Sequence, residues 1–390
     1  MKMKALLVAN SASMIDHFNR DNIKILKSLG YDIDIAANFQ SGNSSSQERI
    51  NAFSNELKED GMSIIDLPIP RSIFSIKDTL KCIKTLKNYL SSNPCEIIHC
   101  QTPFGGLVAR IAAKKYFKRE QTKVIYFAHG FHFFKGAPLV NKLVYYHIEK
   151  YLSKYTNCLI TLNNEDYTSA IELLDAETVR YVPGIGVDCD YISSITIDKE
   201  AKKKELGIPV NNKVILNVSE LIPRKNIEQT INVFAKAHNT DCTLLICGKG
   251  AELNKLKELA EGLGIADKVL FAGYRTDILE IYKACDIFLF TSRQEGLPVS
   301  IMQAMASGLP VIASDIRGNN DLLTESGKDY NFNCLVPLDK EDEFVSKLNQ
   351  LICNTELSKD LGVDNKIICK EKFDIKIVHR LMEKIYRNLL

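Results

Sequence analysis

A chain of 390 residues is longer than one ordinary hydrophobic core supports and predicts two domains of roughly 150–200 residues each. With 45% hydrophobic and 25% charged residues it has the make-up of a soluble globular protein, and a net charge of +2 argues against nucleic acid as a partner. Eleven cysteines, an odd number with no CxxC pair and no Cys-His zinc spacing, read as free thiols in a reducing cytoplasm rather than a disulfide framework or a metal site.

Residues 5–9 form a short apolar run suited to a buried strand and too short for a signal peptide. Nowhere do about 18 apolar residues follow one another, so any meeting with a membrane is from its surface. Residues 10–19 read as a polar loop, followed by a helix to Leu29 that Gly30 stops, and by a strand over 31–37. This β-α-β opening lacks the G-x-G-x-x-G turn, which argues against a nicotinamide dehydrogenase. Over 76–90 the residues Ile76, Leu80, Ile83, Leu86 and Leu90 mark one helix face. Lys77, Lys81, Lys84 and Lys87 cover the rest, as a solvated face or a contact for anionic lipid.

Residues 96–106 are a strand and a loop in which Gly105 and Gly106 allow close backbone approach. Residues 124–136 repeat the design: a strand delivers His129 at its carboxyl end, Gly130 follows, and His132 stands among Phe131, Phe133, Phe134 and Lys135. Two histidines in an aromatic, glycine-bounded loop at a strand end favour a site over a structural role. Residues 137–155 read as a helix with Lys142, Lys150 and Lys154, either packed on the sheet or resting on a membrane interface.

A second α/β region starts at 213–220, with a strand over 214–218. Arg224 and Lys225 follow where that strand turns into a helix, a placement suited to a diphosphate. A strand over 243–247 ends in the tight turn Gly248-Lys249-Gly250, and one over 269–275 delivers Tyr274 and Arg275, with Asp277 as the N-cap of the next helix. Residues 286–315 read strand, loop, helix, strand. Glu295 stands at the loop tip, Pro298 in the first helical turn, and Ser300, Gln303 and Ser307 on one polar helix face. A loop leaving a parallel strand and opening a helix is where α/β sheets bind ligands, and the helix start favours an anion.

This last stretch resembles the Glu-x7-Glu signature of family-4 retaining glycosyltransferases of the GT-B fold, with Glu295 at the first position and Gln303 at the second. The His-Gly-Phe-His-Phe loop at 129–133 is similar to that of members building bacterial capsule, exopolysaccharide or surface glycans, whose upstream His-x-His-Thr-Pro is here His99 and Gln101. Lys225 matches the family lysine that grips the donor diphosphate. The resemblance implies an α/β GT-B architecture: two facing Rossmann-like domains with parallel sheets and a cleft between them. It places an acceptor domain at 1–190, joined by a C-terminal helix at about 374–390, and a nucleotide-sugar domain at 191–373.

By residue match, His129, Glu295 and Lys225 are catalytic. Arg224, Gly248, Tyr274, Arg275, Gly296, Leu297, Val299 and Gln303 hold the donor, and His17, Gln101, Phe131, His132 and Lys135 lie on the acceptor side. The expected reaction is metal-independent hexosyl transfer, without a cofactor, from a UDP-sugar to an oligosaccharide or polyprenyl-diphosphate-linked acceptor. The enzyme would be cytoplasmic and peripheral on the inner membrane face, with no nucleic-acid partner. Two alternatives stay open at this point: a non-hydrolysing UDP-sugar epimerase of the same fold, and a catalytically silent sugar-nucleotide-binding subunit.

Overall fold

The computed structural model describes residues 3–70, 75–117, 121–238 and 240–389, so Met1 and Leu390, the ends of the expected first domain, lie outside it. The chain divides into two compact units, Met1–Val182 with Val378–Leu390, and Pro183–Ile377. The second unit thus begins before the expected boundary at 190 and ends after the one at 373. Val187 explains both displacements: its amide donates to Phe373 O (3.0 Å) and its carbonyl accepts from Ile375 N (2.9 Å). Beside this bridge, the Cys189 and Cys369 sulfurs lie 3.7 Å apart without a disulfide.

The first unit is built on strands β1 (Met3–Val8), β2 (Tyr31–Ala37), β3 (Ser63–Asp66), β4 (Ile97–Gln101), β5 (Lys123–Phe127), β6 (Cys158–Thr161) and β7 (Thr178–Tyr181). All pair in parallel, in the order β3-β2-β1-β4-β5-β6-β7. Continuous apolar runs such as Ala5, Leu6, Leu7 and Val8 are buried, as strands covered on both faces require. The order reverses direction between β1 and β4, which makes the carboxyl ends of those strands the natural ligand crevice.

Residues 10–19, expected as a loop, instead form the helix Ala12–Phe18, followed by a second helix, Arg20–Ser28. Ala12, Ile15 and Asp16 are buried, and Asp16 is held by Arg20 (2.5 Å) and Arg49 (2.8 Å). Ion pairing and burial thus override the polar composition.

The helix Ile76–Ser92 buries Cys82, Ile83, Leu86 and Leu90 but leaves Ile76 and Leu80, the start of its expected apolar face, 64% and 59% exposed. They line an open apolar hollow, with Ile83, Phe104, Leu107 and Ile148. Gly106 needs its missing side chain for protein packing, since a Cβ there would lie 2.5 Å from the Tyr126 ring.

The second unit holds β8 (Lys213–Val218), β9 (Cys242–Cys247), β10 (Val269–Gly273), β11 (Ile287–Phe290), β12 (Val311–Ser314) and β13 (Leu335–Val336). These strands are again all parallel, ordered β10-β9-β8-β11-β12-β13, with the reversal between β8 and β11. Among the described residues no helix is long and apolar enough to cross a membrane.

Candidate active site

In the second unit, β8 and β11 lie side by side, with Leu216 opposite Phe288. Their exit loops are bound to each other. After β8 the chain makes the tight 3-10 turn Pro223–Lys225 and passes through Asn226 at φ +54°, a left-handed conformation that asparagine tolerates. The Asn226 amide donates to Thr291 O (3.1 Å), the Thr291 hydroxyl donates back to Asn226 O (2.9 Å), and Arg293 N donates to Arg224 O (2.9 Å). The Arg293 guanidinium closes the set on Asn226 Oδ1 at 2.8 Å.

This stapling brings together two residues that stand 70 positions apart: Lys225 Nζ lies 2.6 Å from Glu295 Oε1. Glu295 is buried, and Arg224 reaches its other oxygen at 3.8 Å while donating to Gln294 O at 2.8 Å. Burial makes this pair electrostatically strong, because a lone carboxylate or ammonium there would be poorly solvated.

Two further loops press on the cradle. A Cβ on Gly248 would lie 1.8 Å from Ser219 O, and one on Gly318, at φ +81°, 2.3 Å from Gly296 O. Gly248 was expected at the donor; its backbone packs directly on the loop that leads to Lys225. Leu297 and Pro298 are buried, and the helix Val299–Ala306 begins without a capping side chain, so its first-turn amides remain available to an anion. Gln303, one turn further on, is half-buried; its carbonyl accepts from Ser307 N (3.0 Å), and its side chain makes no hydrogen bond among the described residues.

Tyr274 is 62% exposed, its ring 5.7 Å from Lys249 Nζ, so an aromatic face is open to a ligand. Arg275 is engaged in the protein, donating to Asp277 (2.6 and 2.8 Å) and Glu205 (2.8 Å). That network corrects the role expected of Asp277. It occupies the N-cap position of Ile278–Ala284, but its carboxylate makes no cap bond and serves Arg275 and Lys202 instead. The Arg275 hydrogen bond is the chief reason the Asp277 carboxyl is pushed down to about 2.

In the first unit, His99, Gln101 and His129 meet at the carboxyl ends of β4 and β5. His129 Nε2 lies 2.7 Å from Gln101 Oε1, Gln101 Nε2 3.4 Å from His99 Nε2, and His99 Nδ1 2.7 Å from the Tyr386 hydroxyl. Gln101 also donates to Asn19. Burial pushes His129 down to about 4 and His99 to about 3, so both imidazoles are neutral near pH 7.

Two of the residues expected on the acceptor side are buried. Gln101 is only 1% exposed and its amide is spent on this network, and Phe131, 2% exposed, stacks on Phe133 in the core. The remaining three acceptor-side residues sit at the surface or partly so. His17 is exposed and bonded to Ser45 Oγ (2.7 Å), Lys135 is exposed, and His132 stacks on Tyr145 with ring centres 4.4 Å apart. Sequence reasoning missed Asn19, Asn226, Gly318 and Tyr386. Only the glycine and the left-handed asparagine carried a local signal.

Residues 198–366 match the family model described as glycosyl transferases group 1, and residues 4–163 the one described as glycosyl transferase 4-like. EpsD of Bacillus subtilis (strain 168), named as a glycosyltransferase, is 32% identical over 370 residues, 94% of this chain and 92% of its own. An Escherichia coli UDP-Gal:alpha-D-GlcNAc-diphosphoundecaprenol alpha-1,3-galactosyltransferase is 32% identical over 285 residues, 71% of each chain. Among solved structures, HepE of Anabaena in complex with UDP-glucose aligns with a TM-score of 0.76 over 99% of this chain and 100% of its own. At 20% identity that likeness shows the fold.

Proposed function

We propose, from the premise that this chain belongs to the family-4-like GT-B glycosyltransferases, that it moves a sugar from a UDP-sugar, with retention, onto a glycan acceptor carried on polyprenyl diphosphate. The setting would be synthesis of bacterial capsule, exopolysaccharide or another surface glycan. The observation that carries this reading is the Lys225–Glu295 contact of 2.6 Å at the point where the second sheet reverses, beside an uncapped helix start. A cation and a helix N-terminus suit a diphosphate, and a buried carboxylate suits sugar hydroxyls. The UDP donor is supported by HepE, solved with UDP-glucose, and the lipid-linked acceptor by the name of the Escherichia coli relative.

In this reading the bond between the anomeric carbon and the diphosphate oxygen breaks, and the acceptor oxygen adds to the same face. The acceptor proton passes to the departing phosphate oxygen. Lys225 and the amides of Val299–Ala306 stabilise the charge that develops there, so the protein supplies what a divalent metal otherwise would. Glu295 holds donor hydroxyls and fixes Lys225, Gln303 meets the ribose, Tyr274 the base, and His129 the donor sugar.

Peripheral membrane contact is supported by Leu139, Val140 and Leu143, which are 76%, 68% and 62% exposed on the helix Leu139–Ser153 of the unit that carries the exposed lysine helix.

The test is UDP release from a panel of UDP-sugars with and without a polyprenyl-diphosphate-linked acceptor. Release that requires acceptor, with the product keeping the donor's anomeric configuration by NMR, is the expected result. Sugar interconversion without acceptor would replace this reading with an epimerase, and binding without turnover with a silent subunit. EDTA is expected to leave the rate unchanged; a strict Mn²⁺ requirement would contradict the charge argument.

A further inference from the structure

We infer that Gln101 is a positioning residue that holds His129 as the neutral tautomer protonated on Nε2, leaving Nδ1 as the ring's acceptor. The direction of every bond in the network follows from one backbone carbonyl. Met14 O can only accept, so the Asn19 side-chain nitrogen, 3.2 Å away, is its donor and Asn19 Oδ1 faces the other way. Asn22 Nδ2 lies 3.1 Å from that same oxygen, which agrees with this orientation. Gln101 must therefore turn its NH₂ toward Asn19, and its carbonyl oxygen is the atom 2.7 Å from His129 Nε2. An oxygen there requires a proton on Nε2. The second Gln101 N–H points to His99 Nε2, which leaves His99 protonated on Nδ1 and donating to the Tyr386 hydroxyl.

The environment keeps the ring neutral. Phe127 and Phe18 face His129 with ring centres 5.2 and 6.4 Å away, and His17 beside Phe18 is bonded to Ser45. The acid packed under the same loop, Asp166, accepts from Phe131 N (3.1 Å) and Asn163 Nδ2 (3.0 Å), so it binds the loop backbone and not the imidazole. The consequence for chemistry depends on the proposed role of His129. A neutral ring presenting Nδ1 accepts a hydrogen bond from a ligand hydroxyl and has no proton at that atom to give, so His129 orients the sugar and is not an acid. A histidine at position 101, as in the resembling subgroup, could offer either a donor or an acceptor and could titrate. Glutamine also carries a donor and an acceptor, but it does not titrate, and Asn19 fixes which end faces His129.

The test is ¹⁵N-histidine NMR on the full chain, with His129 assigned by its absence from the His129→Asn spectrum. At pH 7 His129 is expected to show a protonated Nε2 and a bare Nδ1, unchanged down to about pH 5. A proton on Nδ1, or an imidazolium at pH 7, would overturn the inference. Gln101→Glu keeps the acceptor but adds a charge, and is expected to raise the His129 titration by about one pH unit or more. It should also lower kcat by about tenfold with donor KM little changed. An unmoved titration in a folded variant would also overturn the inference, and should that variant fail to fold, the wild-type spectrum still decides. The tautomer is read without turnover, so an inactive protein would refute the proposed transferase activity while leaving this result standing.

Discussion

At Lys225 one side chain carries two loads: it neutralises the buried Glu295 and, in the proposed reaction, the departing diphosphate. Lys225→Ala should therefore lower turnover by about 100-fold, the scale of losing one charge-stabilising group. It should also lower stability, because Glu295 is left buried without its 2.6 Å partner. Steady-state rates on a UDP-sugar check the first effect. Gln303→Glu runs the other way. A charged acceptor toward the ribose should tighten donor binding about fivefold, the difference of ~1 kcal/mol between neutral and charge-assisted hydrogen bonds, read as a UDP-sugar Kd. His99 gives the pH dependence of stability. Burial holds it neutral down to about 3, whereas in the unfolded chain it takes up a proton near 6.5. The unfolded state therefore binds the extra proton, and stability falls as pH drops through 6.5 and keeps falling until about 3. Between pH 7 and pH 5 this one site removes about 2 kcal/mol. The carboxyls of Glu56 and Asp277, both pushed down to about 2, first by Arg49 and Arg275 respectively, lose their stabilisation only below pH 5. Urea midpoints over pH 7 to 5 should accordingly slope less steeply in His99→Gln than in the parent chain.

Between elements, what matters is how strand-exit loops are forced together. The Gly248 turn packs so tightly on the β8 exit that Gly248→Ala places a methyl 1.8 Å from Ser219 O, at a φ of +156°. That collision should cost about 2–3 kcal/mol of stability, by thermal or urea unfolding, and weaken donor binding by shifting the loop that carries Lys225. The same loops show what was legible in the sequence. Buried strands announced themselves as short apolar runs bounded by glycine and polar residues, and the strand-loop-helix pattern around Glu295 located the helix start, because these signals are local and periodic. The helix Ala12–Phe18 did not, since its stability comes from Asp16 meeting Arg49 across the fold. Asp277 followed the local capping rule in position only, because Arg275 and Lys202 compete for its carboxylate more strongly than a backbone amide does. Likewise no sequence pattern tells which ring of Phe131, Phe133 and Phe134 turns inward, or that Asn19, 82 residues away, fixes the amide of Gln101.

Over the whole molecule the charge is nearly balanced at +2, so attraction to a membrane cannot come from net charge and must come from where residues sit. The first unit gathers Lys77, Lys81, Lys84 and Lys87 on the exposed side of Ile76–Ser92. It also leaves Ile76, Leu80, Leu139, Val140 and Leu143 uncovered, and the apolar hollow between their helices is lined by Ile76, Leu80 and Ile148. Cations and apolar side chains contribute differently to binding a bilayer: the first depend on anionic lipid and fall with salt, the second do not. Replacing Leu139, Val140 and Leu143 together by serine should therefore reduce co-sedimentation with phosphatidylglycerol vesicles at both low and high salt. Replacing Lys77, Lys81 and Lys84 by glutamine should remove only the salt-sensitive part, about 1 kcal/mol per lysine near the surface. All six positions are solvent-exposed, so thermal unfolding should be nearly unchanged. If neither set of changes alters vesicle binding, or if the parent chain does not bind vesicles, the acceptor must reach the protein from solution, and the exposed apolar residues need another partner.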